Sequence, residues 1–388
     1  MTAPRVAIAY DCVFPVNTGG GERVYRRMAE LLVDRGAQVT YVTRAQWAPD
    51  AAPAVPFDLV SVWRGPIYDD RGVRTSRSAV AFALGLFRHF ARARGRYDLV
   101  VVAALPVLNV FAVRLALWGS PAVVAVDWLE VWPARKWRAY AGVLTGTVAA
   151  TLQWLAVRVG RIQTVNSGFT GRRLRRSRPG ADPIVLGLLD LAGPPRETPR
   201  DVAPGGDPYV LFVGRHIADK RLHVLPPALA AARRSAPTLR ARVVGTGPET
   251  DRARRAAIEH DVADAIDFLG RVDDDELDAL VAGAAALVNP SEREGFGLVV
   301  AEAAAFGTPA VVVAGEDNAA AELVVTGVNG VLAGDASPDV LGAAIVEAVA
   351  GGDALRHSTA AWFARERTHR SLSVSVGELL RRAAATRR

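Results

Sequence analysis

Short apolar runs alternate with longer amphipathic stretches along this chain of 388 residues, and they do so in two successive series. A parallel strand that is buried on both faces is apolar almost throughout, and the crossover to the next parallel strand needs a dozen or more residues. The alternation therefore predicts an α/β fold with parallel sheets and helices on both faces of each sheet. The predicted strands cover residues 5–10, 39–43, 59–63, 99–103 and 122–126 in the first series and 209–213, 241–244, 266–269, 285–288 and 309–313 in the second.

A segment rich in proline and glycine separates the two series. Residues 193–208 have the sequence GPPRETPRDVAPGGDP, which contains five prolines and three glycines. Such a composition is typical of a linker. We therefore predict an N-terminal domain over 1–192 and a C-terminal domain over 209–370, with a final helix at about 371–388 that rejoins the first domain. Glycine loops occur in both halves, so we expect two facing Rossmann-like domains with the ligand between them.

Composition restricts the kind of partner and the compartment. The net charge of +7 and the pI of about 10 favour anionic partners such as a nucleotide sugar, a nucleic acid or an anionic membrane. The single cysteine, Cys12, excludes an internal disulfide and is typical of a reducing compartment. Because we find neither a signal peptide nor an uninterrupted apolar run of membrane-spanning length, we expect a cytoplasmic protein.

The stretch most informative about function is residues 290–303, with the sequence PSEREGFGLVVAEA. It follows a strand and leads through a glycine-containing turn into a helix predicted to begin near Phe296, so the first free amides of that helix form an anion site. Glu294 lies in the turn, and Glu302 follows about two helical turns later. Carboxylates beside an anion site repel phosphate, but they accept hydrogen bonds from sugar hydroxyls. The pattern therefore predicts a ligand that carries both a diphosphate and a sugar.

Several other turns after predicted strands carry glycine or a cation. Gly19, Gly20 and Gly21 follow the first strand, where a phosphate-binding turn and a plain flexible turn are both consistent with the sequence. The G-x-G-x-x-G dinucleotide fingerprint is absent because Val24 stands at its last position. In the second half, an arginine and a lysine after the strand at 209–213 are suited to a diphosphate. The candidates there are Gly214, Arg215, Lys220, Gly245, Gly247, Arg271 and Val272.

A loop rich in tryptophan and acid follows the strand at 122–126. It begins with Asp127, Trp128, Leu129 and Glu130. Aromatic rings stack on sugar faces and carboxylates bind sugar hydroxyls, so one interpretation is a sugar-binding loop. The alternative interpretation is that the tryptophans anchor a long loop to the core.

The motif at 290–303, together with Gly214, Arg215 and Lys220, resembles the paired-glutamate motif of retaining family-4 glycosyltransferases. The resemblance covers nearly the whole chain and is strongest over 211–330. It implies a GT-B fold, two facing Rossmann-like domains with the active site in the cleft between them. It also implies transfer of a hexose from a nucleotide-diphosphate sugar to a hydroxyl acceptor with retention of configuration, and no requirement for a metal or other cofactor.

The resemblance also implies roles for individual residues. Arg215 and Lys220 would stabilise the leaving diphosphate, Glu294 would hold hydroxyls of the transferred sugar, and Glu302 would hold the ribose. Gly20 and Gly21 would contact the diphosphate from the N-terminal domain. The donor-binding turn itself would be formed by Gly295, Phe296, Gly297 and Leu298.

One departure from the family pattern concerns the N-terminal loop. Many members carry a histidine that reaches the donor sugar, and alignment of the surrounding residues places Leu129 at that position. The substitution leaves sugar specificity open. The alternatives are a sugar phosphorylase or a sugar-nucleotide epimerase on the same fold, or a non-catalytic protein that binds nucleotide sugars.

Two basic stretches leave the question of a surface partner open. Residues 77–96 form a predicted amphipathic helix with a cationic end, and a second cluster consists of Arg172, Arg173, Arg175, Arg176 and Arg178. Both are consistent with solvated helix faces, and together they are also consistent with contact to an anionic membrane. We do not expect nucleic acid as a partner, because no nucleic-acid-binding motif is present. The acceptor classes that remain are a lipid-linked molecule, a glycan or a small natural product.

Overall fold

The computed structural model describes residues 3–48, 51–67, 75–196 and 207–387. Two compact units make up the chain. The first comprises residues 1–191 and 370–388, and the second comprises residues 192–369. Most of the predicted linker, residues 197–206, lies outside the described residues.

The first unit is built on a seven-stranded parallel sheet. The strands lie in the spatial order β3-β2-β1-β4-β5-β6-β7, so the chain first moves to one edge and then crosses to the other. β4 and β5 are buried along their whole length, as expected for the centre of a parallel sheet covered on both faces. The strands are β1 (Arg5–Ala9), β2 (Gln38–Ala45), β3 (Asp58–Arg64), β4 (Leu99–Ala103), β5 (Val123–Trp128), β6 (Ile162–Val165) and β7 (Ile184–Val185).

Among the described residues of this unit, six helices connect these strands and a seventh returns from the end of the chain. α2 packs on α3, α3 contacts α5, and α4 and α5 form a helical hairpin. The last helix of the chain packs against α1 and against β5, β6 and β7. The connecting helices are α1 (Gly20–Asp34), α2 (Ser76–Arg92), α3 (Leu108–Ala116), α4 (Ala134–Ala141), α5 (Val143–Ala156) and α6 (Gly168–Ser177), and the returning helix is α13 (Leu372–Arg387).

The second unit contains a six-stranded parallel sheet in the order β10-β9-β8-β11-β13-β15 and a separate pair of two-residue strands, β12 and β14. Its core consists of aliphatic side chains from the sheet and from α7, α8 and α11. The strands are β8 (Tyr209–Val213), β9 (Arg240–Val244), β10 (Ile266–Gly270), β11 (Ala286–Asn289), β12 (Arg293–Glu294), β13 (Ala310–Val313), β14 (Asp317–Asn318) and β15 (Gly330–Ala333). The helices are α7 (Leu225–Arg233), α8 (Thr250–Glu259), α9 (Asp274–Gly283), α10 (Leu298–Ala305), α11 (Pro338–Ala350) and α12 (Gly352–His369).

Parallel strands fix where ligand-binding loops can lie. In both units the loops that carry the predicted site residues leave the carboxyl ends of the strands, and such ends meet at one edge of a parallel sheet. β8 and β11 are direct neighbours in the second sheet, so the loops after them start side by side. The fold therefore brings together two segments that are about seventy residues apart in sequence.

Candidate functional site

Three polar contacts join the loops after β8 and β11, and they place Lys220 beside Glu294. The backbone N–H of Glu292 donates to the carbonyl of Asp219 at 2.9 Å. Arg221 Nε donates to the carbonyl of Pro290 at 2.9 Å, and Arg293 pairs with Asp219 at 2.7 Å. Within this frame Lys220 Nζ forms an ion pair with Glu294 Oε1. Both side chains are partly buried, so the pair is shielded from bulk water on one side.

The turn that carries Glu294 is held from the opposite side by two asparagines. Asn289, the last residue of β11, accepts through Oδ1 from the backbone N–H of Ser291 at 3.1 Å. Asn318 in β14 donates through Nδ2 to the carbonyls of Ser291 and Val313 at 3.0 and 2.9 Å. β14 also pairs in parallel with β12, which contains Glu294. The carboxylate is therefore fixed by backbone constraints on both sides.

The helix after this turn begins at Leu298 rather than near Phe296. Its N-cap is Gly297 at φ 93°, a left-handed conformation that favours glycine. A Cβ on Gly297 would lie 2.5 Å from Cβ of Ala320, so close packing also requires glycine. No side chain caps this helix. Glu302 is the fifth helical residue and is half-buried, so it lies just over one turn into the helix.

Close approach also explains Gly245 and Gly247, but the neighbour is the chain itself. A Cβ on Gly245 would lie 1.9 Å from the carbonyl oxygen of Gly214, and one on Gly247 would lie 2.4 Å from the carbonyl oxygen of His216. His216 is buried, and its Nδ1 lies 2.7 Å from the hydroxyl of Thr250. Burial lowers the pKa of His216, so the imidazole is neutral at pH 7. These two glycines are therefore required by packing between the loops after β8 and β9.

The remaining candidates of the second unit are exposed or half-buried at strand ends. Gly214 directly follows β8, and Arg215, which is exposed, comes next. Arg271 is exposed and Val272 is half-buried after β10. The structure thus brings Lys220, Glu294 and the start of α10 into one loop cluster, and places the other candidates at the same edge of the sheet.

In the first unit, the glycine turn and the loop after β5 are neighbours. Gly19 is the N-cap of α1, so Gly20 and Gly21 form its first turn. A Cβ on Gly21 would lie 3.2 Å from the hydroxyl of Tyr10 and 3.5 Å from Cδ1 of Leu129. Leu129 therefore lies beside the N-terminus of α1.

Asp127 differs from its predicted position, because β5 extends through it. Parallel pairing with β6 places Asp127 beside Thr164, whose hydroxyl donates to Oδ1. The hydroxyl of Tyr25 on α1 donates to Oδ2 at 2.5 Å. The carboxyl is fully buried, and burial raises its pKa to about 6. Both oxygens are occupied within the core, so this side chain ties α1 to the sheet rather than facing a sugar.

Trp128 is also part of β5 and not of the following loop. Its ring is buried with 1% exposure, and its indole N–H donates to Oε1 of Gln163 at 2.5 Å. A ring without an exposed face has no surface on which a sugar can stack, so the interpretation of this tryptophan as an anchor is the correct one. Glu130 is half-buried and accepts a hydrogen bond from the indole N–H of Trp132.

The residues that position the ion pair were not among the predicted site residues. Asp219 and Arg293 link the two loops, while Asn289 and Asn318 fix the turn between β11 and α10. A signal was present, because the order Asp219-Lys220 on one loop is complementary to Arg293-Glu294 on the other. Detecting it requires knowledge that β8 and β11 are adjacent.

Two family profiles match the chain, one in each half. The profile described as Glycosyltransferase Family 4 matches residues 18–186, and the profile described as Glycosyl transferases group 1 matches residues 196–361. The chain belongs to glycosyltransferase family 4.

Curated relatives of this family-4 chain match it over part of their length. Glycogen synthase of Mycobacterium tuberculosis is 32% identical over 203 residues, which are 52% of this chain and 48% of the relative. A GDP-mannose-dependent alpha-(1-6)-phosphatidylinositol monomannoside mannosyltransferase of the same species is 33% identical over 150 residues, covering 37% of this chain and 38% of the relative. The matches thus span about half the length of these relatives or less.

Solved structures resemble the family-4 chain over nearly its whole length. Sucrose-phosphate synthase from Thermosynechococcus elongatus has a TM-score of 0.75 at 21% identity, covering 98% of this chain and 99% of that one. Anabaena HepE in complex with UDP and glucose has a TM-score of 0.68 at 18% identity, with the same coverage. At such identities the likeness concerns the fold, which is the two-domain α/β architecture named GT-B.

Proposed function

We propose that this protein transfers a sugar from a nucleotide-diphosphate sugar to a hydroxyl acceptor, with retention of configuration. The observation that carries the proposal is the Lys220–Glu294 ion pair at the carboxyl ends of β8 and β11. A cation suited to phosphate and a carboxylate suited to sugar hydroxyls lie in direct contact beside the start of a helix without a side-chain cap.

The chemical demand in such a transfer is stabilisation of the negative charge that develops on the leaving diphosphate. Lys220, Arg215 and the first amides of α10 supply positive charge and N–H donors for that purpose. Because these groups meet the demand, we propose that the reaction requires neither a metal nor another cofactor.

Donor binding would replace the ion pair with two separate interactions. Lys220 would turn from Glu294 to the diphosphate, and Glu294 would then accept hydrogen bonds from hydroxyls of the transferred sugar. Each charge would keep a partner throughout, since the ligand provides an anion for the lysine and donors for the glutamate. Binding would therefore avoid leaving either partly buried group without compensation.

The other residues would define the ends of the donor. Glu302 would hold the ribose, while Arg271, Val272 and the glycine-containing loops after β8 and β9 would surround the nucleotide. From the first unit, Gly20 and Gly21 would approach the diphosphate, and Leu129 beside Gly21 would face the sugar. Anabaena HepE was solved with UDP-glucose, which supports a nucleotide sugar as the donor class.

Retention follows from attack on the same face of the sugar that the diphosphate leaves. In that reaction the acceptor oxygen bonds to the anomeric carbon as the bond to the diphosphate breaks, and the acceptor proton passes to the leaving phosphate. No protein nucleophile is needed. The acceptor remains a hydroxyl compound of unspecified class.

The proposal is tested by incubating the protein with a panel of nucleotide sugars and measuring sugar release by mass spectrometry. We expect hydrolysis of one donor by the wild-type protein and its loss in Lys220→Met. Glu347→Gln on α11 is a matched surface control and should retain the activity. Donor cleavage that requires added inorganic phosphate would indicate a phosphorylase instead. Binding of a nucleotide sugar without any cleavage, even with sugar and lipid acceptors present, would contradict the proposed transfer.

A further inference from the structure

The outer face of α5 is apolar and exposed, which is unusual for a helix of a globular domain. Leu144 has 81% of its surface exposed, and other large apolar side chains of α5 and the neighbouring helices are also exposed. We call this set the α5 surface: Leu115, Trp118, Tyr140, Val143, Leu144, Val148, Trp154 and Leu155. α5 contacts both α3 and α4 within the first unit, and Trp118 follows the end of α3.

One side of the helix packs against protein, and its buried positions are Gly146, Gln153 and Ala156. Gly146 faces α4 so closely that a Cβ would lie 2.4 Å from the carbonyl oxygen of Trp137. Gln153 is buried, donates to the carbonyl of Trp132 at 2.7 Å and accepts from the indole N–H of Trp137 at 3.0 Å. The orientation of α5 is therefore fixed, and its apolar residues face outward.

Two of the three exposed threonines of α5 bond within the helix. Thr147 Oγ1 donates to the carbonyl of Val143 at 2.6 Å, and Thr151 Oγ1 donates to the carbonyl of Thr147 at 2.9 Å. A hydroxyl that donates to its own helix has a hydrogen-bond partner when the surroundings are apolar. Thr147 and Thr151 are thus compatible with a hydrocarbon environment.

The segment that carries this surface has a positive net charge. Residues 111–161, which contain every member of the α5 surface, have six arginines and lysines and two acidic residues, a net charge of +4. Of the two acidic residues, Asp127 is buried. Arg158 lies 3.7 Å from the ring of Trp154, and Arg114 and Arg161 line a cavity of about 170 Å³ near the end of α3.

We propose that the α5 surface lies in the interface of an anionic lipid bilayer. An apolar helix face flanked by cations and bordered by tryptophan and tyrosine matches the layers of such an interface. The described helices are all too short or too polar for a transmembrane span. With 14 residues, α5 is about 21 Å long and lies in the plane of the membrane. A second copy of the chain fits less well as the occupant, because self-association would bring two surfaces of positive net charge together.

The surface differs from the two basic stretches that the sequence indicated. Those stretches lie on α2 and α6 and are richer in arginine. α2 also exposes Val80, Leu84 and Phe87, with exposed fractions of 55%, 44% and 39%, whereas Val143 and Leu144 of α5 are 75% and 81% exposed. Charge alone gives binding that salt removes, while apolar side chains in the acyl region retain part of the binding at high salt. The two sources of affinity can therefore be separated.

The test is co-sedimentation of the full chain with vesicles. We expect binding to an equimolar mixture of phosphatidylglycerol and phosphatidylcholine, and little binding to phosphatidylcholine alone. Leu144→Gln/Val148→Gln should weaken partitioning at least about tenfold, because two apolar side chains lose their bilayer contact. Ile258→Gln on α8 of the second unit is the matched control, since Ile258 is 68% exposed. Equal binding of the double variant and the wild type would overturn the proposal.

A second measurement reports which surface inserts. Leu144→Cys and Ile258→Cys can each be labelled with an environment-sensitive fluorophore, because the native Cys12 is buried. Only the label at position 144 should shift to the blue when phosphatidylglycerol vesicles are added. A shift at neither position, or no binding to any vesicle, would refute insertion through α5. Loss of a dimer in Leu144→Gln/Val148→Gln, seen by sedimentation velocity without lipid, would show that a second copy covers the surface instead.

Discussion

Asp127 predicts a specific pH dependence of stability. Its carboxyl is fully buried between β5, β6 and α1, and it accepts hydrogen bonds from Thr164 and Tyr25. Burial penalises the charged form, and the two hydrogen bonds compensate only in part, so the pKa rises from 3.8 to about 6. Asp127→Asn removes this titration while keeping the shape of the side chain, with its oxygen accepting from Thr164 and its amide donating to Tyr25.

The magnitude follows from the difference between the native and unfolded pKa values. Between pH 3.8 and about pH 6 the native state keeps a proton that the unfolded chain has released. The stabilisation present below pH 3.8 is therefore lost as the pH rises through the native pKa. One pKa unit corresponds to about 1.4 kcal/mol, so ionisation of this carboxyl should lower the free energy of unfolding by about 2 kcal/mol between pH 4.5 and pH 7.5.

The assay is urea unfolding followed by tryptophan fluorescence at several pH values. Seven of the eight tryptophans lie in the first unit, so the signal reports mainly on the unit that contains Asp127. Other groups titrate as well. The difference in the free energy of unfolding between the wild type and Asp127→Asn at each pH isolates the contribution of the Asp127 carboxyl. Relative to the wild type, the variant should gain about 2 kcal/mol as the pH rises over that range. Asp34→Asn, which removes an exposed carboxylate of the same unit, should follow the wild type. Parallel curves for Asp127→Asn and the wild type would refute the reasoning.

The remaining predictions concern steady-state kinetics on the donor identified by the hydrolysis screen. Glu302→Gln should raise KM about ten- to a hundredfold with a smaller effect on kcat, because a contact to the ribose is equal in ground and transition states. Glu294→Gln should instead lower kcat by a similar factor, since the transferred sugar changes in charge and shape. Changes below about twofold in both variants would contradict the assigned roles. Leu129→Ala should alter the preference among donor sugars and leave the affinity for the nucleoside diphosphate unchanged; a large loss of that affinity would show that the loop is structural.

The strands β1–β5, β8–β11 and β13 could be predicted from sequence, but β6, β7 and β15 were not predicted, and neither was the end of β5. The apolar run 122–126 ends at an acid, which suggests the start of a loop. In the structure, β5 continues through Asp127 and Trp128 because these two residues pair with β6. The residues of β6 are distant from β5 in the sequence. Burial of the acid depends on Thr164 and on Tyr25 from α1. These partners are far apart in sequence, and local patterns contain no information about them.

In the candidate site, too, residue patterns along the chain predicted the loops but not the contacts between residues distant in sequence. Glycines, cations and carboxylates after predicted strands identified the loops, because the carboxyl edge of a parallel sheet is where ligands bind. The pairing of Lys220 with Glu294 was not predicted, since it depends on β8 and β11 being neighbours. Local composition also gave Gly245 and Gly247 as ligand contacts, whereas the nearest obstacles to a side chain are the carbonyls of the adjacent loop.

The apolar pattern of the α5 segment excludes a membrane-spanning helix, but it does not by itself show whether the helix has an apolar surface. Polar residues interrupt the apolar run around 141–159, and those interruptions exclude a membrane-spanning helix. The structure shows that they do not exclude an apolar surface, because Gln153 faces the protein and the hydroxyls of Thr147 and Thr151 bond within the helix. A helix with such a surface is normally covered by protein or by lipid. No described part of the chain covers Leu144, and the net charge of +4 over residues 111–161 favours an anionic cover. A bilayer interface satisfies both conditions.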